Sequence, residues 1–212
     1  MACAVFEDVM RMAKSTKVLL QDVIKKQLSK TSLDHITVTS IIEESGVNRK
    51  TLYYNYEDKY DLARSAVFSD LLACLEDNFL ADTWETGMTG VLEYAIDNQA
   101  VFKNIARSSY SSRFRIDLEQ LGAKQYVIFV NSILLRERPD TYAGSKEDYP
   151  LICDMARFFS VVVIAVITDW FQRGMQASPQ ELTEYLRVMF RYATTDAYDL
   201  RSVSEDDRLL SL

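Results

Sequence analysis

The chain has 212 residues, 48% of them hydrophobic, with only six glycines and three prolines and a formal net charge of −7. That is ample for a buried core and too little turn chemistry for a strand-rich sandwich, a Gly-rich phosphate cradle or a low-complexity linker, so an all-helical chain is expected. One histidine, His35, and three scattered cysteines, Cys3, Cys74 and Cys153, exclude a clustered zinc site and offer little to a His-based triad; no metal and no cofactor are expected.

An odd, unclustered set of cysteines suits a reducing compartment, and Glu7 and Asp8 interrupt the N-terminus where a signal peptide needs apolar residues. The expected location is the cytoplasm. The longest apolar run, Phe158 to Ile167 with Ser160 inside it, is about half of the ~20 residues needed to cross a bilayer, so no membrane partner is expected. Charge is unevenly spread. Residues 11–50 hold eight Lys or Arg against four Asp or Glu, whereas residues 61–212 hold fifteen against twenty-three. A small basic module ahead of a larger acidic one suits a protein whose first part meets a polyanion, although a basic stretch taken alone also reads as a solvated helix face.

In chain order, Val18, Leu19, Val23, Ile24, Gln27 and Leu28 recur at helical spacing among lysines and predict a basic amphipathic first helix from Ser15. After a loop from Thr31 to Ile36, Thr37 caps a short second helix that Ser45-Gly46 stops, and Asn48 opens a third to Tyr56. Glu57-Asp58 starts a fourth from Lys59 towards Phe79. Helices follow at Thr89–Asn98, Gln99–Ser108, Arg113–Arg136, Tyr149–Arg173 and Pro179–Tyr198, with breaks at Asp82–Gly87, Ser108–Ser112, Arg138–Glu147 and Gly174–Pro179. The first ten residues and the tail from Ser202 read as fraying ends.

Two short helices across Ser45-Gly46-Val47-Asn48 form a helix-turn-helix, since glycine readily takes the left-handed conformation of a sharp turn. Such a unit lays its second helix in the major groove. That places Asn48, Arg49, Lys50 and Thr51 towards base edges: Arg49 for guanine, Lys50 for guanine or phosphate, Asn48 as a cap or an adenine reader. Leu52 and Tyr56 face inward and leave Tyr53, Tyr54 and Asn55 outward, where ring stems and hydroxyls suit the sugar-phosphate backbone. Lys59 opposes the dipole of the helix it begins, a conflict that a DNA phosphate would resolve.

Ile36-Thr37-Val38, Ile41-Ile42, Ser45-Gly46-Val47, Thr51-Leu52-Tyr53-Tyr54-Asn55-Tyr56 and Asp58-Lys59-Tyr60-Asp61-Leu62 resemble the DNA-binding domain of TetR-type (TetR/AcrR) transcriptional regulators. The resemblance implies an all-α homodimer: an N-terminal helix-turn-helix domain over 1–58, then a helical ligand-binding and dimerisation domain over 59–212, with the helix from 59 to about 79 as connector. By position it implies that Thr37 and Thr39 open the second helix at the DNA, that Arg49 and Lys50 read bases, and that Tyr53, Tyr54 and Lys59 hold the backbone. Asn55 stands where the family often has an aromatic residue or histidine.

Asp169-Trp170-Phe171, Gly174-Met175, Ser178-Pro179 and Glu181-Leu182, with Asn98 to Ser108, resemble the C-terminal domain of TetR-type proteins of Gram-positive bacteria, a group that includes regulators of dihydroxyacetone kinase operons. The chain departs from that pattern at Ser160 to Val166, where valines and isoleucine replace an expected glycine. On this resemblance Phe102, Tyr110, Phe114, Tyr126 and Phe129 are pocket candidates, each also readable as packing. Phe158, Val162, Val166 and Trp170 with Leu186, Met189 and Phe190 are assigned to a two-fold four-helix dimer interface. Arg113 and Arg115 near the pocket read as an anion site or as solvated, and His35 as a loop residue.

The expected function is a dimeric, ligand-responsive repressor that binds double-stranded DNA at a palindromic operator and answers an unidentified small-molecule effector. A coactivator or docking module of the same shape is the alternative. No carboxylate pair or based nucleophile stands out, so no enzyme is expected.

Overall fold

Among the described residues every regular element is helical. The computed structural model describes residues 16–76, 78–80, 82–137 and 149–198, and their side chains except at 137, 149, 151 and 191–198. The sequence-expected loop at Arg138–Glu147, both expected fraying ends and Cys3 lie outside them.

Helix α1 covers residues 16–28 and turns Leu20, Val23, Ile24 and Leu28 inward. Val18 and Leu19, expected on that face, are instead exposed. A 3-10 turn, Leu33–His35, interrupts the expected loop and buries Leu33. Helix α2 is Val38–Ser45 and α3 is Arg49–Asn55. Between them Gly46 has φ 67°, the left-handed backbone for which glycine carries no Cβ penalty. Their apolar residues Ile41 and Leu52 close against α1, completing a three-helix head.

Helix α4, Lys59–Leu75, begins at Asp58, whose carboxylate accepts from the Asp61 amide at 2.7 Å. It buries Tyr60, Leu62, Ala63, Ala66, Val67 and Leu71, which together wrap much of its circumference. The reason is position: α4 packs on the head at one end and on the remaining helices along its length. One apolar cluster runs from α1 through α4 to Val101, Ile105 and Phe114.

Helix α5 is Trp84–Asp97, α6 Gln99–Ala106 and α7 Ser111–Glu137. The break expected at Asp82–Gly87 is thus mostly helix. Gly87 is there for space, since a Cβ would stand 2.3 Å from the Asn78 carbonyl oxygen, and its own amide donates to that oxygen at 3.2 Å. Helices α8, Tyr149–Gln172, and α9, Pro179–Tyr198, complete a second cluster. Trp84 meets Phe190 edge-on at 4.9 Å between centroids, and Tyr126 stacks on Phe159 at 4.9 Å. At the α8–α9 turn Gly174 and Met175 both have positive φ, and the Trp170 ring N–H donates to the Ala177 carbonyl at 2.9 Å.

Candidate functional site

The exposed end of the head is ordered by caps. Thr37 Oγ1 accepts from the Ser40 amide at 3.0 Å while Ser40 Oγ accepts from the Thr37 amide at 3.3 Å, a reciprocal capping box that fixes the start of α2. Gln27 of α1 ties in, with Nε2 donating to the Ser40 carbonyl at 3.1 Å and to Glu44 Oε2 at 2.7 Å. Asn48 resolves as a cap: its Oδ1 accepts from the Thr51 amide at 2.8 Å and from the Thr51 hydroxyl at 3.0 Å. Asn55, expected to point outward, is half-buried and turns its amide back to the Thr51 carbonyl at 2.7 Å.

With those groups engaged, the α3 surface presents Arg49, Lys50, Tyr53 and Tyr54. Arg49 reaches Thr39 Oγ1 at 3.4 Å and otherwise faces solvent. Tyr54 is 87% exposed and Tyr53 48%, a large uncovered aromatic area for a short helix.

Lys59 requires a correction. Its ammonium donates to the carbonyls of Leu33 at 2.8 Å, Asp34 at 3.1 Å and Ile36 at 2.7 Å, at the 3-10 turn. Three carbonyl dipoles supply the negative charge that the sequence reading sought in a phosphate. All three donor protons have partners inside the subunit.

The head is bolted to the rest of the chain through side chains that sequence reasoning missed. Ser109, before α7, donates to Asp34 through its amide at 2.9 Å and its hydroxyl at 2.6 Å, and these bonds hold the Asp34 carboxyl below the usual carboxylate range. Buried Tyr60 donates to Asp117 Oδ2 at 2.5 Å; burial first, and then that bond, pushes its phenol well above the ordinary tyrosine value. Asn104 caps the end of α1 by donating to the Leu28 carbonyl at 2.8 Å. Asp70 accepts from both Lys25 and Tyr94 at 2.8 Å. Tyr110, a pocket candidate, instead stacks on Tyr60 at 5.2 Å, and Arg113 lies over that same ring at 4.2 Å.

Behind the junction lies a cavity of about 120 Å³ between α4, α5, α7 and α8. Phe102 and Tyr126 line it as expected, together with Leu71, Leu75, Met88, Leu118, Leu121, Val163 and Ile167. Phe114 and Phe129 do not: Phe114 belongs to the cluster shared with the head, and Phe129 is packed among Phe79, Trp84 and Phe190. Arg113 and Arg115 stay outside, the latter paired with Glu119 at 2.6 Å. Among the described residues no cluster of His, Cys, Asp or Glu is arranged to hold a metal, and no helix is long and apolar enough to cross a membrane.

The expected dimer residues divide. Trp170, Leu186 and Phe190 are buried inside the single subunit, Leu186 with no exposed area at all, so they are core rather than free interface. Val162, Val166 and Met189 are half-buried. Phe158 is 66% exposed, and Val161, Ala165, Tyr185 and Val188 are exposed beside it on α8 and α9. The uncovered apolar strip therefore lies about one residue round each helix from where the periodicity put it.

Residues 82–192 match the TetR-type family described as "Transcriptional regulator C-terminal region". The chain is similar to an HTH-type transcriptional regulator of Staphylococcus aureus strain USA300, 23% identical over 144 residues that cover 64% of this chain and 76% of the relative. It is similar to another from strain MRSA252, 22% identical over 155 residues, 69% of this chain and 82% of the relative. Among solved structures, the dihydroxyacetone kinase operon activator DhaS superposes with a TM-score of 0.57 at 15% identity, covering 84% of this chain and 95% of DhaS. A TetR transcriptional regulator from Streptococcus agalactiae 2603V gives 0.52 at 21% identity, covering 88% and 98%. A helix-turn-helix head joined to a larger helical half is the build of a transcriptional regulator. More particularly, the C-terminal match spans more than half of the 212 residues, and the chain belongs to the TetR-type regulators.

Proposed function

We propose that this regulator is a cytoplasmic homodimer that binds a palindromic operator as a repressor and releases it when a small molecule fills the α4–α8 cavity. It has no catalytic role in this reading. Residues 1–58 act as the reading head and 59–212 as the effector and dimerisation half, with α4 as connector. The observation that carries the reading is the α3 surface: the polar groups of Thr37, Asn48 and Asn55 are engaged in the fold, while Arg49, Lys50, Tyr53 and Tyr54 are left outward on one short helix. A guanidinium and an ammonium at the helix start suit guanine edges and phosphate, and Thr37, Thr39 and Thr51 flank them. Lys59 then serves DNA indirectly, by holding the 3-10 turn that positions α2.

Dimerisation is supported by the strip of Phe158, Val161, Ala165, Tyr185 and Val188, an apolar surface that a second copy would cover. Two heads related by a two-fold axis fit half-sites about one helical turn apart.

The test is operator selection from random duplexes, followed by titration of the parent and of the Arg49→Ala and Lys50→Ala proteins. The expected outcome is a palindromic consensus that the parent binds and both variants bind more weakly. Recovery of no consensus, together with co-purification of a second regulator bound to the C-terminal half, would favour the coactivator reading instead. Light scattering is expected to give a dimer at micromolar concentration and a monomer for Phe158→Asp.

A further inference from the structure

The wall of the cavity has an unusual composition for a binding site. Of the side chains that line it, none is charged, and only Gln125, Tyr126 and Ser160 carry a polar atom. Ser160 already donates its hydroxyl to the Arg157 carbonyl at 2.8 Å in its own helix. Gln125 is half-buried on α7, and almost none of the wall's surface is polar, so what the cavity presents to an occupant is apolar nearly throughout.

Two physical limits follow. A charged ligand would lose its hydration with no countercharge to replace it, and a polyhydroxylated one would leave most of its hydroxyls without partners. Volume sets the second limit: about 120 Å³ is close to the roughly 150 Å³ of an apolar protein cavity that takes up benzene. We infer that the effector is a small uncharged molecule about the size of one aromatic ring and apolar over nearly its whole surface. This inference rests on the reading of the cavity as the effector site, and it excludes a triose or other polyol as the occupant.

The experiment uses the full-length protein with three probes: toluene, p-cresol and dihydroxyacetone. Thermal unfolding and calorimetric titration are expected to show toluene binding, with the midpoint raised by about 3–5 °C at ten times its Kd. p-Cresol, whose hydroxyl finds no partner in the wall, is expected to bind about tenfold more weakly and dihydroxyacetone not at all. In Gln125→Leu the affinities for both aromatic probes should stay within about twofold of the parent's, since the wall already presents almost no polar surface. Val163→Phe, which places a ring in the cavity, should abolish binding of both while helical circular dichroism is kept. Preference for dihydroxyacetone over the aromatic probes, p-cresol binding more tightly than toluene, or toluene affinity unaltered in Val163→Phe would overturn the inference. Operator titration separates it from the regulatory reading. If toluene binds as described and operator affinity does not move, the ligand class stands and the regulatory reading fails. If dihydroxyacetone binds and releases operator, the regulatory reading stands and the ligand class fails.

Discussion

The head and the C-terminal half solve the same problem, an all-helical core, in opposite ways. In the head, contacts are settled close along the chain: Thr37 with Ser40, Asn48 with Thr51, Asp58 with Asp61, each three residues apart. Its buried leucines and isoleucines close on one another, and the surface proposed to meet DNA is displayed outward on α3. In the C-terminal half, order comes from rings that meet across long separations, such as Trp84 with Phe190 and Tyr126 with Phe159. Helices held apart by large rings leave unfilled volume between them, and the surface proposed to meet a ligand is folded inward. On that proposal, a rigid reader and a hollow responder are products of two packing regimes on one connecting helix, α4.

The comparison can be broken most directly by core substitutions of opposite size. Leu52→Ala, which empties a fully buried site of the head, should cost about 2–5 kcal/mol of stability by urea unfolding. Val163→Phe, which fills existing space, should cost nothing and stabilise by roughly 0.5–2 kcal/mol. Equal losses from both would mean that the two halves are packed alike. Next in size, Arg49→Ala should weaken operator binding by about 1–3 kcal/mol and relax base preference, while Gln125→Leu leaves operator affinity of the free protein unchanged. A loss from both would erase the division of labour between outward and inward surfaces.

Smaller effects sharpen the junction between the halves. Tyr60→Phe removes the bond to Asp117 but keeps the stack on Tyr110, and should cost about 1–2 kcal/mol, read by the same unfolding assay. The smallest effect is one of pH. Because the Ser109 bonds hold the Asp34 carboxyl below its ordinary value, their contribution is full above the unfolded carboxylate pKa, about 4, and is lost as pH falls through the folded value. The stability gap between the parent and Ser109→Ala should therefore stay constant near neutrality and shrink on acidification below about pH 4. A gap that instead widened there would place the proton elsewhere.

What was legible in the sequence follows the same division. Thr37, Gly46, Asn48 and Asp58 announce their turns because a cap is a local bargain between one side chain and a backbone amide three residues on. The Pro179 start of α9 is legible for a similar reason. Helical periodicity fails where a helix has neighbours on more than one side: it chose Val18 and Leu19 over Leu20, and it gave Trp170, Leu186 and Phe190 to an interface when the subunit's own core takes them. Gly87 reads as a breaker because nothing near it in sequence reveals the Asn78 carbonyl beside it. Phe114 and Tyr110 are pocket candidates by aromatic character and by the family resemblance of their helices, but an aromatic ring fills a junction as readily as it lines a cavity. Lys59 was singled out correctly as anomalous, but its partners lie more than twenty residues back in the chain.

Both tryptophans of the chain, Trp84 and Trp170, fall in the hollow half, Trp84 against a ring that lines the cavity and Trp170 pinned to the turn before α9. The head, residues 1–58, has no tryptophan. Tryptophan emission is thus a built-in optical channel that sees the responder and is blind to the reader, so an intensity change on adding an effector, compared with anisotropy of a labelled operator, clocks the two ends of the molecule separately without any engineered dye on the protein.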